Sequence, residues 1–279
     1  DISLNGGSAK ANEVSLTAAN DLLLNGGVIT ANEASLTAAN DVLLNIGSLT
    51  TSGEASLTAT AGSIAEKNGY VLNTPLVEGS AGQTLNIGSS ANKLQKVNIL
   101  TVKGDVTIGS GESSTPVELT ATIVGDLNIA GVVDTDLYIT NRGNGGASDV
   151  VITRELQAAK SINITNAVGD TIVDGGAVKA AGFIADGGLV INSGAIDAGT
   201  ISATNIGIGG GTVASNTINA TGVDISNGVV NSAIVNATNI NMIGGTVNSS
   251  NINATAIDIS GGNVDSGTIS ATALNISSG

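Results

Sequence analysis

Aliphatic and polar residues recur along the chain at fixed distances, and two distances dominate. From residue 189 the sequence divides into rows of 17 residues: LVINSGAIDAGTISATN, IGIGGGTVASNTINATG, VDISNGVVNSAIVNATN, INMIGGTVNSSNINATA and IDISGGNVDSGTISATA. From residue 1 it divides into rows of 20, beginning with DISLNGGSAKANEVSLTAAN and DLLLNGGVITANEASLTAAN. Fixed periods of this length indicate a repeat architecture rather than a single globular core.

Within each row, aliphatic and polar residues alternate, as in ISAT and VDIS, and no helical stripe occurs. This period of two indicates short strands, and the Gly and Asn residues between them mark corners. Because such strands cannot bury a face alone, each should lie parallel on its copy in the next row. The pattern predicts an all-β fold, with Ile208, Ile225 and Met242 in one interior file.

The predicted architecture is a right-handed parallel β-helix, or β-solenoid, with three short strands per rung and rungs of about 17–20 residues, roughly 14 or 15 rungs in all. We interpret the chain as one continuous solenoid with three zones. Residues 1–64 carry the 20-residue repeats, residues 65–170 carry irregular rungs with loop insertions, and residues 171–279 carry the 17-residue repeats. The chain begins in phase with a repeat and stops inside one, as expected of a fragment of a longer chain.

The amino-acid composition argues against several classes of function. The chain has 23 acidic and 9 basic residues, and it has no Lys or Arg after Lys179. A surface so poor in cations cannot neutralise phosphates, so we expect no nucleic-acid partner. No apolar run is long enough for membrane insertion. Because Cys is absent, thiolate metal sites are excluded, and we predict no cofactor.

Asp134 and Asp136 form the best pair of carboxylates for catalysis. Side chains two positions apart on a strand share a face, and glycosidases use two carboxylates about 5–10 Å apart. However, His is absent and aromatic residues make up 1% of the chain. We therefore favour an Asp-Thr-Asp turn, which suits the preference of Asp for turns. The prediction is no enzymatic activity, with a polysaccharide-active β-helix enzyme as an alternative.

Glu13, Glu33 and the shifted Glu54 occupy the same place in successive rows. Stacked like charges about 5 Å apart repel each other by about 1 kcal/mol per pair in water, which a solvated face tolerates. A calcium ion would relieve this repulsion, since Ca²⁺ binds carboxylate oxygens. A solvated acidic column remains the favoured interpretation, because the calcium-binding glycine-rich repeat is missing.

The triplet Asn-Ala-Thr and its variant Ser-Ala-Thr recur at the same place in each 17-residue row. We expect the Ala of each triplet to point inward at a corner, and the flanking residues to point outward and stack in ladders. The outward Thr residues are a candidate ligand-facing ladder for ice or a glycan: Thr204, Thr221, Thr238, Thr255 and Thr272. The alternative, which we favour, is a solvated ladder that follows from stacking alone.

Rows such as DLLLNGGVITANEASLTAAN and SDVVITRELQAAKSINITN resemble the β-helical repeat region of the filamentous haemagglutinin family. These proteins are adhesins and other exoproteins exported by two-partner secretion. The resemblance implies the structural shaft of a secreted bacterial surface adhesin or filament, located outside the cell or on its surface. It also implies three kinds of partner: a host or neighbouring cell surface or an extracellular glycan or protein, further copies of the chain joined end to end or laterally, and an outer-membrane secretion partner for the parent chain.

Overall fold

The computed structural model describes residues 1–67, 69–89, 91–102, 106–110, 117–123, 127–133, 137–141, 149–152, 155–166 and 169–277. The chain forms an all-β parallel β-solenoid of about 13 turns, with rungs of about 18 residues, and the residues just named contain no helix. This confirms the predicted fold class. The turns are slightly fewer than expected because rungs outside the 17-residue rows are longer, as where Val106 pairs with Leu127. In the described ranges there is consequently no helix that could cross a membrane.

The chain divides into two compact units, residues 1–149 and 150–279. The three zones read from the repeats, 1–64, 65–170 and 171–279, remain a prediction. The described residues of the first unit form these strands: β1 Ile2–Asn5, β2 Ser8–Lys10, β3 Glu13–Ala18, β4 Leu22–Ala31, β5 Glu33–Ala38, β6 Val42–Thr51, β7 Glu54–Ala59, β8 Ile64–Glu66, β9 Tyr70–Ala81, β10 Leu85–Ile87, β11 Lys93–Val102, β12 Val106–Ser110, β13 Val117–Ile123, β14 Leu127–Val133 and β15 Leu137–Asn141.

The first unit stacks its 20-residue rows in parallel register. Leu4 pairs with Leu24, and Leu24 pairs with Leu44. Leu24 and Leu44 are completely buried, because alternate residues of a strand point to the same side and here that side is the interior. The period of 20 therefore becomes an aliphatic file along the stacking direction.

The second unit, in the part that the structure describes, forms these strands: β16 Val150–Ile152, β17 Glu155–Ala158, β18 Ser161–Asn166, β19 Thr171–Val173, β20 Ala177–Ile191, β21 Ala195–Ile208, β22 Thr212–Ile225, β23 Val229–Met242, β24 Thr246–Ile259 and β25 Asn263–Ile276. In each 17-residue rung the long strand bends twice. Strand β22 pairs with β23 through three segments, 212–215, 217–220 and 222–225, and the residues between the segments form corners. These segments are the three short strands of the rung.

The predicted interior file of the second unit is confirmed. Ile208 pairs with Ile225, and Ile225 pairs with Met242. All three side chains are buried. Positions 17 apart therefore lie next to each other inside the solenoid, and the core consists of aliphatic files rather than of one globular cluster.

The third corner of each 17-residue rung requires glycine. Gly228 has a φ of +86°, in the left-handed region that side chains rarely adopt. A Cβ atom at this position would lie 2.8 Å from the carbonyl oxygen of Gly211, the glycine one rung earlier. The backbone conformation and the close approach of the two rungs therefore both exclude a side chain here.

Candidate functional site

The predicted Thr ladder lies along one edge of the second unit. Thr204, Thr221 and Thr238 are exposed, as are the last two members, Thr255 and Thr272. Each Thr occupies the single corner position between the second and third paired segments of its rung, as Thr221 does between Ala220 and Gly222. The structure therefore brings these residues together on one surface, at a corner rather than within a strand.

The residues two positions before these threonines form a hydrogen-bonded amide ladder. Asn236 Nδ2 donates to Asn219 Oδ1 at 2.9 Å, and Asn253 Nδ2 donates to Asn236 Oδ1 at 3.0 Å. Ser202 and Ser270 continue this column at either end. Because each bond joins neighbouring rungs, the ladder stabilises the stacking, as predicted for Asn columns.

The Ala column between the two ladders departs from the expectation. We expected Ala220 and its copies to point into the interior, but Ala203, Ala220, Ala237 and Ala254 are half-exposed. They form the floor of an open groove whose walls are the Asn or Ser column and the Thr column. A methyl group at the corner leaves space that a larger side chain would fill, and this space is the groove.

The groove runs past several rungs of the second unit. One stretch, of about 640 Å³, is lined by residues from Asn163 to Thr221 and includes Asp186. A second, of about 450 Å³, is lined by residues from Asn219 to Ser270. Hydroxyl and amide groups can hydrogen-bond a polar ligand there, but Asp186 is the only titratable residue among the linings of these two stretches. The groove therefore offers binding contacts without a pair of groups for acid–base catalysis.

Aromatic side chains, on which sugars commonly stack, are missing from the described residues that line this groove. Tyr70 and Phe183 are completely buried in the core. The side chain of Tyr138 is not among those described. Any glycan in the groove would be held by hydrogen bonds and by contacts with Ala and Ile side chains such as Ile184, without aromatic stacking from the described lining residues.

The carboxylate pair of the enzyme hypothesis, Asp134 and Asp136, lies outside the described residues. Its suggested catalytic role therefore stays a prediction from sequence. The same is true of the Asp-Thr-Asp turn that we favour in its place.

The acidic column has the predicted register at its start. Glu13 pairs with Glu33 in parallel strands. Burial raises the pKa of Glu54, and the negative charges of Glu78 and Glu33 raise it further. Among the described residues no group of three or more acidic, His or Cys side chains is placed to hold a metal ion. Calcium binding at Glu13 and Glu33 stays a prediction.

The sequence pattern also contains two polar columns whose roles emerge only in the structure. Asp21 Oδ1 accepts a hydrogen bond from the backbone N–H of Asp41 at 3.2 Å, so this acidic column ties successive rungs together. Ser232 is buried and donates to the carbonyl oxygen of Ile234 at 2.9 Å, closing the first corner of its rung. Both columns could have been identified in the sequence, because their residues recur at the repeat period.

Comparisons with known proteins add no closer classification. A scan against protein-family models finds no match, and searches among curated proteins and solved structures find none either. The chain is thus classified by its fold alone, as a β-solenoid.

Proposed function

We propose that the chain is the non-catalytic shaft of a secreted bacterial surface adhesin or filament, and that it holds binding regions away from the cell. The observation that carries this proposal is the constancy of the register in the second unit. Strand β21 pairs with β22 through 12 residue pairs, and the next three rungs repeat the same 12 positions without a shift. Backbone hydrogen bonds between parallel strands therefore run in one direction through consecutive rungs.

This arrangement suits a mechanical role. A force along the stacking direction is shared among all hydrogen bonds between two rungs, so none of them has to break alone. In the 17-residue rungs of the second unit, the interior files add apolar contacts between successive rungs. Repeating the same rung lengthens the solenoid without changing its packing, as a spacer requires. A single catalytic site would not require such repetition.

The resemblance to the filamentous haemagglutinin family supports the same function and adds the route of export. It rests on the composition and periodicity of the repeat rows and on the β-solenoid fold, which that family shares. It assigns the chain to the outside of the cell, with an outer-membrane secretion partner for the parent chain. The adhesion target would be a cell surface or an extracellular glycan or protein.

Location and activity can be tested together. Antibodies against the folded chain should label intact cells of the producing bacterium, and protease added to those cells should remove the label. The purified chain should release no products from pectin, alginate and related glycans. Label that appears only after permeabilisation would overturn the surface location. Turnover that is lost in Asp136→Asn would favour the polysaccharide-active enzyme.

A second candidate function, passive binding of a glycan or of ice, is favoured by one observation. The groove continues along the Thr and Asn columns with the same chemistry in each rung. Thr238→Tyr places a ring at the edge of the groove and should abolish pull-down by insoluble glycan or thermal hysteresis. Asn231→Tyr, at an exposed position in the first paired segment of its rung, is the matched control. Binding that survives Thr238→Tyr would remove this candidate.

A further inference from the structure

One interior file of the first unit contains an acid where its neighbours are aliphatic. Leu24 pairs with Leu44, and Leu44 pairs with Glu66 at the end of β8. The side chain of Glu66 is 8% exposed, so it occupies the same buried position that leucine occupies in the preceding rungs. A buried carboxylate loses its hydration, and this loss has to be offset by hydrogen bonds.

Two hydrogen bonds from the next rung reach one oxygen of this carboxylate. The backbone N–H of Ser89 and Nδ2 of Asn92 both donate to Glu66 Oε2 at 3.0 Å. Asn92 is completely buried, and it also accepts from the N–H of Leu72 at 2.8 Å and donates to the carbonyl oxygen of Ile87 at 3.1 Å. Through Asn92, the carboxylate fastens the corner after β10 to two strands.

The other oxygen of the same carboxylate is buried and has no hydrogen-bond partner. This atom is Glu66 Oε1, and the hydroxyl of Tyr70 is likewise buried and without a partner. Tyr70 closes the turn that follows Glu66, because its N–H donates to the carbonyl oxygen of Lys67 at 3.1 Å. The corner therefore holds two orphan oxygens, of which the carboxylate oxygen can only accept while it is ionised.

Among the described residues, no positively charged group contributes to the pKa shift of Glu66. Leu44 comes from β6, Tyr70 from β9, and Ser89 and Asn92 from the following corner. Tyr70 is the one titratable group among these neighbours. Lys67 follows Glu66 in the chain, but it is exposed to solvent.

We propose that Glu66 is a proton-operated lock on this corner: the neutral carboxyl holds the corner after β10 closed, and ionisation loosens it. The neutral acid keeps an acceptor for Ser89 and Asn92, since Oε2 can still accept. Its buried and unpartnered Oε1 gains a proton, so the side chain no longer carries a negative charge that lacks hydration. Protonation therefore removes the cost of keeping an ionised carboxylate in an aliphatic file.

The direction of the effect follows from the pKa of Glu66. Burial raises this pKa to about 6, although the hydrogen bonds from Ser89 and Asn92 lower it. The folded corner thus binds a proton more tightly than the opened corner, whose carboxyl has the ordinary pKa of 4.5. The stabilisation is fully present below the ordinary pKa, and it is lost as the pH rises through about 6.

Hydrogen exchange, followed by mass spectrometry and corrected for intrinsic rates, tests the lock in the full chain. Protection of peptides covering 85–94 should fall about eightfold between about pH 5 and about pH 7.5, given the raised pKa. Glu66→Gln mimics the neutral acid and should keep the higher protection at both pH values. Peptides covering 212–259 should not respond to pH in either protein, which makes them the internal control.

Two results would overturn the lock: wild-type protection of 85–94 that does not change with pH, or a drop of the same size in Glu66→Gln. If Glu66→Gln does not fold, wild-type protection measured at closely spaced pH values is the second test. The loss of protection should reach completion as the pH rises through about 6, the raised pKa of Glu66. A loss already complete at the ordinary pKa of 4.5 would overturn the lock.

Discussion

Ile225 pairs with Met242, 17 positions further along the chain, and both side chains are buried in the interior file of the second unit. Each member of the file therefore packs against the residue at the equivalent position in the neighbouring rungs. A side chain lost from one rung leaves a gap that both neighbouring rungs line, because interiors are closely packed.

Truncation of one member of this file should destabilise the second unit. Ile225→Ala should lower the free energy of unfolding by about 2–5 kcal/mol, through lost apolar burial and the cavity left behind. Denaturant unfolding followed by circular dichroism measures the change. Asp224→Asn alters the exposed neighbour but keeps its Oδ1 as an acceptor for Asn241, so its effect should stay within about 0.5 kcal/mol. Equal effects of the two substitutions would contradict the interior file.

Removal of one whole rung should be tolerated. Deletion of 223–239 joins Gly222 to Ile240 and puts each later residue in the column that its copy occupied. The strand content measured by circular dichroism and the cooperative unfolding should therefore remain, with one interface between rungs fewer.

A deletion that is one residue shorter, 223–238, provides the matched control. It shifts every later side chain by one position and so turns apolar residues outward. We expect this variant to lose the ordered rungs that follow the deletion, with a clear drop in circular dichroism intensity. The 17-residue register would be contradicted if the variant lacking 223–238 folded normally, or if the variant lacking 223–239 failed to fold.

The stacking in the second unit was predictable because the period there is constant. Ile208, Ile225 and Met242 recur every 17 positions, so columns in the sequence become files in the structure. Glu66 was not found in this way. Leu24 and Leu44 are 20 positions apart, but the partner of Leu44 is 22 positions further on, so the period no longer marks the column.

The groove could not be predicted either. An alternating pattern assigns Ala220 to the inside, but it carries no information about how a corner opens. Ala is small enough for an interior corner and for a groove floor, and the structure shows it half-exposed. The corner lies at Thr221, between the paired segments 217–220 and 222–225, and the groove opens beside it.

The corner glycine Gly228 should resist substitution. Gly228→Ala meets the left-handed φ and the carbonyl oxygen of Gly211, and should cost about 1–3 kcal/mol or more. At Gly207 the φ is not in that region, and an added Cβ would meet nothing within 4 Å. Gly207→Ala should therefore be neutral or stabilising, by up to about 1 kcal/mol. Thermal unfolding of the two variants compares the positions, and a harmless Gly228→Ala would refute the close approach.

The serines that precede the first corner of the 17-residue rungs, such as Ser232 and Ser266, should contribute to stability only where they are buried. Ser232 Oγ donates to the carbonyl oxygen of Ile234 and accepts from Ser215 Oγ at 3.0 Å. Ser232→Ala leaves these two groups short of a partner and should cost about 1–3 kcal/mol. Ser266 makes the same local bond to Thr268 at an exposed position, so Ser266→Ala should have a much smaller effect in denaturant unfolding. Equal losses would mean that burial is not the deciding factor.

The acidic column should destabilise the first unit at neutral pH. Burial and the charges of Glu78 and Glu33 raise the pKa of Glu54, so the folded chain binds the proton of Glu54 more tightly than the unfolded chain does. The cost of ionisation is therefore present at neutral pH and disappears in acid. Glu54→Gln should raise the melting temperature at neutral pH and low ionic strength, and the gain should vanish below the ordinary pKa of 4.5.

Added salt and added calcium separate the two explanations of this column. Repulsion by Glu78 and Glu33 is screened by monovalent salt, whereas the effect of burying Glu54 is not. Salt alone should therefore shrink, but not abolish, the difference between the wild type and Glu54→Gln. A bound Ca²⁺ would instead raise the melting temperature of the wild type at millimolar concentration, and that rise would be lost in Glu33→Gln. Because the described residues contain no group of three ligands placed to hold a metal, we expect the first result. A calcium response that survives high monovalent salt and is lost in Glu33→Gln would show that the ion binds at the acidic column.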